Sequence, residues 1–239
     1  MVQSSGNPNV ITTAMILAAG LGTRMRPLTN HVPKPLVPVA GKTMLSRVFT
    51  HLREAKISKI VVNTHYLPSH IAEAVPAGTL ISHEDILLDT GGGVKNALPL
   101  LGEEPFFVLN GDSVWTGSET LQKMSRLWDE SKMDALLLLI KRENAHGYQG
   151  KGDFFMEATG QLSRCGEAPG APYVYGGVHI LHLRLFEQSP SGSFSLNLTW
   201  NKALEKGRLF GVPHEGEWFH IDTPDALKQY EPQVATLES

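Results

Sequence analysis

The sequence predicts an α/β fold: a mostly parallel sheet flanked by helices, with a smaller β-rich part in the second half. Three observations point there. Short apolar runs at residues 14–17, 59–63 and 105–109 each stop at glycine or asparagine, as buried strands do when they feed loops at a sheet edge. Stretches of helical period lie between them, clearest over 43–55, where Met44, Val48, Leu52 and Ala55 share one face. The chain has 239 residues, 41% of them hydrophobic, enough for one large α/β core. Strand–helix alternation implies right-handed crossovers with helices on both faces. Ligands of such sheets bind at the carboxyl ends of the strands.

The first strand runs into residues 17–34, LAAGLGTRMRPLTNHVPK. Gly20 and Gly22 allow backbone N–H groups close to an anion. Arg24 and Arg26 offer paired donors for phosphate oxygens, and Lys34, between two prolines, adds a point charge. This combination describes a triphosphate site contributed by Ala18, Ala19, Gly20, Gly22, Thr23, Arg24 and Lys34. It is neither a P-loop, which needs Gly-Lys-Ser/Thr, nor a dinucleotide fingerprint, which needs a third glycine where this chain has Pro27 nearby.

The helix over 43–55 follows, then a strand over 59–63 ending at Asn63. Asn63 reads either as a nucleotide contact or as a turn residue. A short helix is expected over 68–75 and a short strand over 79–83. Thr90, Gly91, Gly92 and Gly93 open a helix, although glycine there costs about 1 kcal/mol each against alanine. Close backbone approach to a flat ligand would explain that cost. Residues 106–109 form a buried strand ending in Asn110-Gly111-Asp112, where an aspartate is well placed to hold a hard cation that bridges phosphates. A helix over 119–130 and a strand over 135–140, expected to be the last long buried one, complete this half.

The second half is glycine-rich and less regular. Residues 144–153 are polar, 154–157 extend, Gly160 marks a hairpin, and 161–164 return. Gly176 and Gly177 interrupt a strand over 172–182, which suggests a bulge or a close ligand. Helices over 183–187 and 196–206, a strand over 208–213 and a strand over 217–224 lead into a final helix over 225–230. Thr223 caps that helix and Pro224 takes its first position.

The net charge of −3 speaks against a nucleic-acid binder. The single cysteine, Cys165, forms no internal disulfide and suits a reducing compartment. No apolar stretch is long enough to span a bilayer, and residues 1–11 do not read as a signal peptide. Residues 1–12 and 232–239 are expected to be tails around one domain.

Taken as a string, LAAGLGTRMRPLT followed by PKPLVPVAGKTML resembles the signature of the sugar-1-phosphate nucleotidyltransferases, and the resemblance extends over about residues 13–231. It implies a Rossmann-like fold of the nucleotide-diphospho-sugar transferase type. The nucleotide part would span about 13–141 and the sugar-phosphate part about 142–222. DTGGG, HGYQGKGDF and YGGVHIL look most like the bacterial N-acetylmuramate α-1-phosphate uridylyltransferases. The implied reaction joins UTP to a sugar 1-phosphate with Mg²⁺, in the cytoplasm and in peptidoglycan recycling. Mannose- or heptose-1-phosphate guanylyltransferases and a non-catalytic nucleotide-sensing subunit are the alternatives.

By this resemblance Arg24, Lys34 and Asp112 are catalytic. Asn63, Thr90, Gly91 and Gly92 join the phosphate loop around the nucleotide. Asn110, Lys151, Asp153 and Gly177 meet the sugar phosphate. No nucleic acid or membrane partner is implied, and a monomer is expected. One motif departs from the family, which reads Trp-x-Asp-Val/Ile-Gly-Thr near its C-terminus. Here His220 stands at the aspartate position and Asp222 at the glycine position. In an extended segment both point to one side. Mg²⁺ prefers oxygen, which favours Asp222 as the second metal ligand beside Asp112; the alignment favours His220.

Overall fold

The structure, a computed structural model, describes residues 10–238. The expected tail therefore lies outside the described residues up to position 9. Beyond it, Ile11 is buried and the Thr12 carbonyl accepts from the amides of Ser58 and Lys59, so the domain begins before residue 13.

In chain order, β1 (Thr13–Leu17) leads through short 3-10 turns to a hairpin of β2 (Pro38–Val39) and β3 (Lys42–Thr43). The Thr43 hydroxyl accepts from the Ser46 amide and caps α1 (Met44–Glu54). Next come β4 (Lys59–Thr64), α2 (Pro68–Ala74), β5 (Leu80–His83) and α3 (Asp89–Leu101). The first half closes with β6 (Phe106–Asn110), β7 (Val114–Trp115), α4 (Thr120–Leu127) and β8 (Ala135–Lys141). The second half holds β9 (Ala145–His146), β10 (Phe154–Met156), β11 (Leu162–Arg164) and β12 (Tyr173–Leu181). It ends with α5 (Asn197–Glu205), β13 (Leu209–Pro213), β14 (Trp218–Phe219) and α6 (Pro224–Leu237).

The main sheet runs β11-β10-β12-β6-β1-β4-β5, with β8 against β12 and β13 against β8. Its first-half strands are parallel: β1 pairs with β4 and β6, and β4 with β5. Here the sequence expectation holds. The longest strand, β12, runs antiparallel to β6 and β8. It also corrects the expectation that residues 135–140 form the last long buried strand. A register shift between Tyr175 and His179 is the bulge foreseen at Gly176-Gly177, and it lets this strand stay in the sheet beyond the break.

Alternation along each strand builds two cores. Ala14, Ile16, Val62, Phe107, Leu109, Leu136 and Leu138 face α1, α2 and α4. Met15, Val61, Phe106, Val108, Leu137 and Leu139 face α3 and α5. Both faces of the strands are therefore apolar, as a sheet sandwiched between helices requires.

A small sheet of β7, β14 and β9 lies at the carboxyl edge. Trp218 pairs with Trp115 and Phe219 with Val114, and this register carries His220–Asp222 back past Ser113 and Asp112. The C-terminal tail expected over 232–239 is instead helical through Leu237. Val234 is buried with Phe219 and Ile221. Glu231 accepts from the Ala40 amide at 2.8 Å, and Glu238 pairs with Lys42 and with the buried Arg47. Those contacts hold the last turns in place beyond Pro232.

Candidate active site

A cavity of about 640 Å³ opens at the carboxyl ends of β1, β4 and β6. Leu17–Arg24, Lys34, Asn63, Thr90, Asn110, Asp112 and Asp222 line it. The loop over residues 17–34 folds on itself to deliver its cations. Gly22 adopts φ +60°, its carbonyl accepts from the Thr29 hydroxyl at 2.7 Å, and a Cβ there would lie 3.0 Å from Lys34 Cβ. Glycine is thus required at this turn for Lys34 to fold back beside it. Gly20 differs: a Cβ there meets no protein atom within 4 Å, and its backbone borders open cavity.

Four charged groups face one another across the mouth. Lys34 Nζ lies 2.7 Å from Asp112 Oδ2. Arg24 pairs with Asp222 through Nη1 and Oδ2. Asp112 is brought beside the loop because the Gly111 amide donates to the Leu17 carbonyl at 2.9 Å, and a side chain on residue 111 would crowd that carbonyl. His220 sits behind Asp222, 3.3 Å from Oδ2, stacked on Trp218. Its burial lowers the imidazole pKa, outweighing the attraction of Asp222, which favours the neutral ring. Among the described residues no three acidic, His or Cys side chains converge as a metal cage. Any cation here would take its remaining ligands from substrate oxygens and water.

Several expected contacts are used inside the protein. Asn63 is buried; its Oδ1 accepts from the Ala18 amide at 2.7 Å and its Nδ2 donates to Glu84 Oε1 at 2.7 Å. It borders the cavity while fixing the end of β1, so it is more than a turn residue. Gly91 and Gly92 are buried, and both amides donate to the Phe194 carbonyl. A Cβ on Gly91 would lie 2.5 Å from the Phe194 ring, and one on Gly93 would lie 2.6 Å from Glu84. The close approach that glycine serves here is to the 192–194 segment and Glu84, which corrects the expected approach to a flat ligand. Only Thr90 of that stretch reaches the cavity.

A second cavity of about 300 Å³ adjoins the first through Leu17, Asp89, Thr90 and Asn110. Asp153 lies on its wall, with Oδ2 accepting from the Tyr175 amide at 2.8 Å. Gly177, at φ +80°, packs against Ser113 and Asn110 and so supports the wall from behind. Lys151 is not brought to either cavity. Its ammonium donates to the carbonyls of Gly166 and Ala168, closing the turn beyond β11. Glu84 and Ser193 line the first cavity, and Arg164, Asn197 and Trp200 the second, without having been expected from the sequence. Glu84 directly follows the strand Leu80–His83 and so stands at a strand end in the sequence. Arg164 and Ser193 come from segments distant in sequence and carry no local signal.

The sequence profile of the nucleotidyl transferase family matches residues 13–235. The N-acetylmuramate α-1-phosphate uridylyltransferase of Caulobacter vibrioides is 40% identical over 93% of this chain and 96% of its own length. The enzyme of that name from Neisseria meningitidis serogroup B is 32% identical over 90% and 95%. The inositol-1-phosphate CTP transferase of T. maritima superposes with a TM-score of 0.75 at 18% identity, covering 96% of this chain and 97% of that one, and so shares the fold. No helix among the described residues is long and apolar enough to cross a membrane. The resemblance drawn from the glycine-rich loop is therefore borne out, and the chain belongs to the nucleotidyl transferase family.

Proposed function

We propose that this protein transfers the uridylyl group of UTP to N-acetylmuramate α-1-phosphate, giving UDP-N-acetylmuramate and pyrophosphate for peptidoglycan recycling. The observation that carries the reading is the pairing of Lys34 with Asp112 and Arg24 with Asp222 at the mouth of one cavity, next to a second cavity of sugar size. The relatives that match this chain nearly end to end support the choice of UTP and of the acceptor.

In this reaction a phosphate oxygen of the acceptor attacks the α-phosphorus. The α–β bridging bond breaks and pyrophosphate leaves with its electron pair. The nucleophile is already ionised near neutral pH, since a phosphate monoester has a second pKa of about 6. No general base is needed. The barrier lies in bringing two polyanions together, so positioning and charge neutralisation carry the catalysis.

Arg24 is assigned to the β- and γ-phosphates and the departing pyrophosphate, and Lys34 to the α-phosphate. Gly20, Gly22 and Thr23 present main chain to the triphosphate. The residues fit Mg²⁺: Asp112 and Asp222 both line the mouth and would offer the ion carboxylate oxygen, the ligand type it prefers. When bound, the ion would neutralise phosphate charge. Asp112 and Asp222 would then turn from their protein cations to the metal, and Lys34 and Arg24 from the carboxylates to phosphate. His220, a nitrogen donor behind Asp222, is assigned to orienting that carboxylate.

Pyrophosphate release tests the reading, with UTP, GTP, CTP, dTTP and ATP each offered with N-acetylmuramate, N-acetylglucosamine, glucose, mannose and heptose 1-phosphates. Turnover is expected to be fastest with UTP and N-acetylmuramate 1-phosphate. Preference for GTP with a manno-configured acceptor would move the protein to guanylyl transfer. Nucleotide binding without any turnover would make it a sensor.

A further inference from the structure

We infer that Arg164 sets acceptor specificity: its guanidinium is placed to bind a carboxylate carried by the sugar of the 1-phosphate substrate. The inference rests on the uridylyl-transfer reading above and names the group on the acceptor that this site selects.

Arg164 ends β11 and borders the second cavity without lining the first. It is the only Lys, Arg or His among the described residues that line that cavity. Its position is built rather than incidental. The guanidinium carbon lies 4.9 Å from the Phe154 ring centroid and 5.7 Å from that of Trp200. Nη2 donates to Asn197 Oδ1 at 2.8 Å and to Asn201 Oδ1 at 2.9 Å, both on α5. Two rings and two amides hold the fork in one orientation.

None of those four partners is an anion. The other well-covered arginines are matched: Arg184 and Arg208 each lie 2.7 Å from Asp134, and Arg47 pairs with Glu238. Arg164 forms no ion pair among the described residues, although the field of Asp153 reaches it. A half-buried guanidinium with neutral partners keeps its charge and its Nε and Nη1 donors for a ligand. A carboxylate is the planar group that such a fork binds best.

The acceptor named above supplies one. N-acetylmuramate is N-acetylglucosamine carrying a lactyl ether that ends in a carboxylate. Asp153, which lines the same cavity, repels that carboxylate and accepts from sugar hydroxyls instead, so the two charges orient the ring. A neutral sugar would leave the free Nε and Nη1 donors of Arg164 without a carboxylate, and an unpaired donor is how a polar site rejects an analogue.

The test is acceptor kinetics on the whole protein with UTP and Mg²⁺, comparing N-acetylmuramate α-1-phosphate with its lactyl methyl ester. Wild type is expected to lose about 10- to 100-fold in kcat/KM on the ester, the range of a charge-assisted hydrogen-bonded contact. Arg164→Gln should lose a similar factor on the free acid, keep its KM for UTP within about threefold, and no longer distinguish acid from ester. Arg164→Lys keeps the stem and charge but lacks the fork, and should fall between the two. A wild type indifferent to esterification, or an Arg164→Gln protein that still prefers the acid by the wild-type ratio, overturns the inference and leaves uridylyl transfer standing. Should Arg164→Gln not fold, the ester comparison on wild type and the lysine variant decide it. No turnover of the free acid by wild type would instead defeat the uridylyl-transfer reading itself.

Discussion

At the residue scale the cavity mouth keeps its charges in pairs. Lys34 faces Asp112 and Arg24 faces Asp222, each cation on a loop and each carboxylate at the end of a different strand pairing. Arg24 is exposed, so its pair with Asp222 adds little to stability, about 0–1 kcal/mol, whereas Lys34 is largely covered where it meets Asp112. Arg24→Ala and Asp112→Asn are each expected to lower kcat by at least about 100-fold. Their thermal unfolding midpoints should stay near wild type. Near-native turnover in either variant would remove that residue from the mechanism. Asn63 shows the opposite economy: its amide links Ala18 to the buried Glu84 and is occupied by the protein. Asparagine at a strand end was plain in the sequence, but its two partners, 45 and 21 residues away, were not.

At the element scale, glycines that look alike in sequence do different work. Gly20 faces open cavity, whereas Gly91 and Gly93 are pressed against Phe194 and Glu84. Opposite phenotypes follow. Gly20→Ala should leave urea unfolding unchanged and raise the KM for UTP, because the added methyl occupies ligand space. Gly91→Ala should cost about 1–3 kcal/mol in the same unfolding measurement, since the methyl overpacks a filled contact. A stable Gly91→Ala protein would mean that the 192–194 segment shifts without cost. The helix at Thr90 was legible from its glycines and following apolar period. What those glycines pack against was not, because the 192–194 segment lies about a hundred residues on, in a stretch of serines with no period.

At the scale of the molecule, the C-terminal helix ties the segment that carries Asp222 to the hairpin that follows Lys34. It begins immediately after Asp222 and ends on the hairpin that follows Lys34, through Val234, Glu231 and Glu238. Its last turns therefore belong to the fold. Val234→Ala is expected to destabilise the protein by about 1–3 kcal/mol, from lost burial plus the cavity left behind. An exposed tail would tolerate the change with no shift in the denaturant midpoint, which is the outcome that would contradict this packing.

The sequence by itself determined the strand–helix order of the first half, its parallel strands, and the glycine-rich loop and Asp112 at the strand ends. Each of these is a local pattern: an apolar run, a helical period, a glycine turn or a charge at a strand end. Only the tertiary structure decided what the side chains spend their groups on. It tied Lys151 to Gly166 and Ala168, turned Gly91 and Gly92 toward Phe194, ran the last helix on to Leu237, and set Arg164 beside Asp153. Those outcomes depend on contacts between residues far apart in the chain, and local periodicity carries no record of which distant segment will arrive to make them.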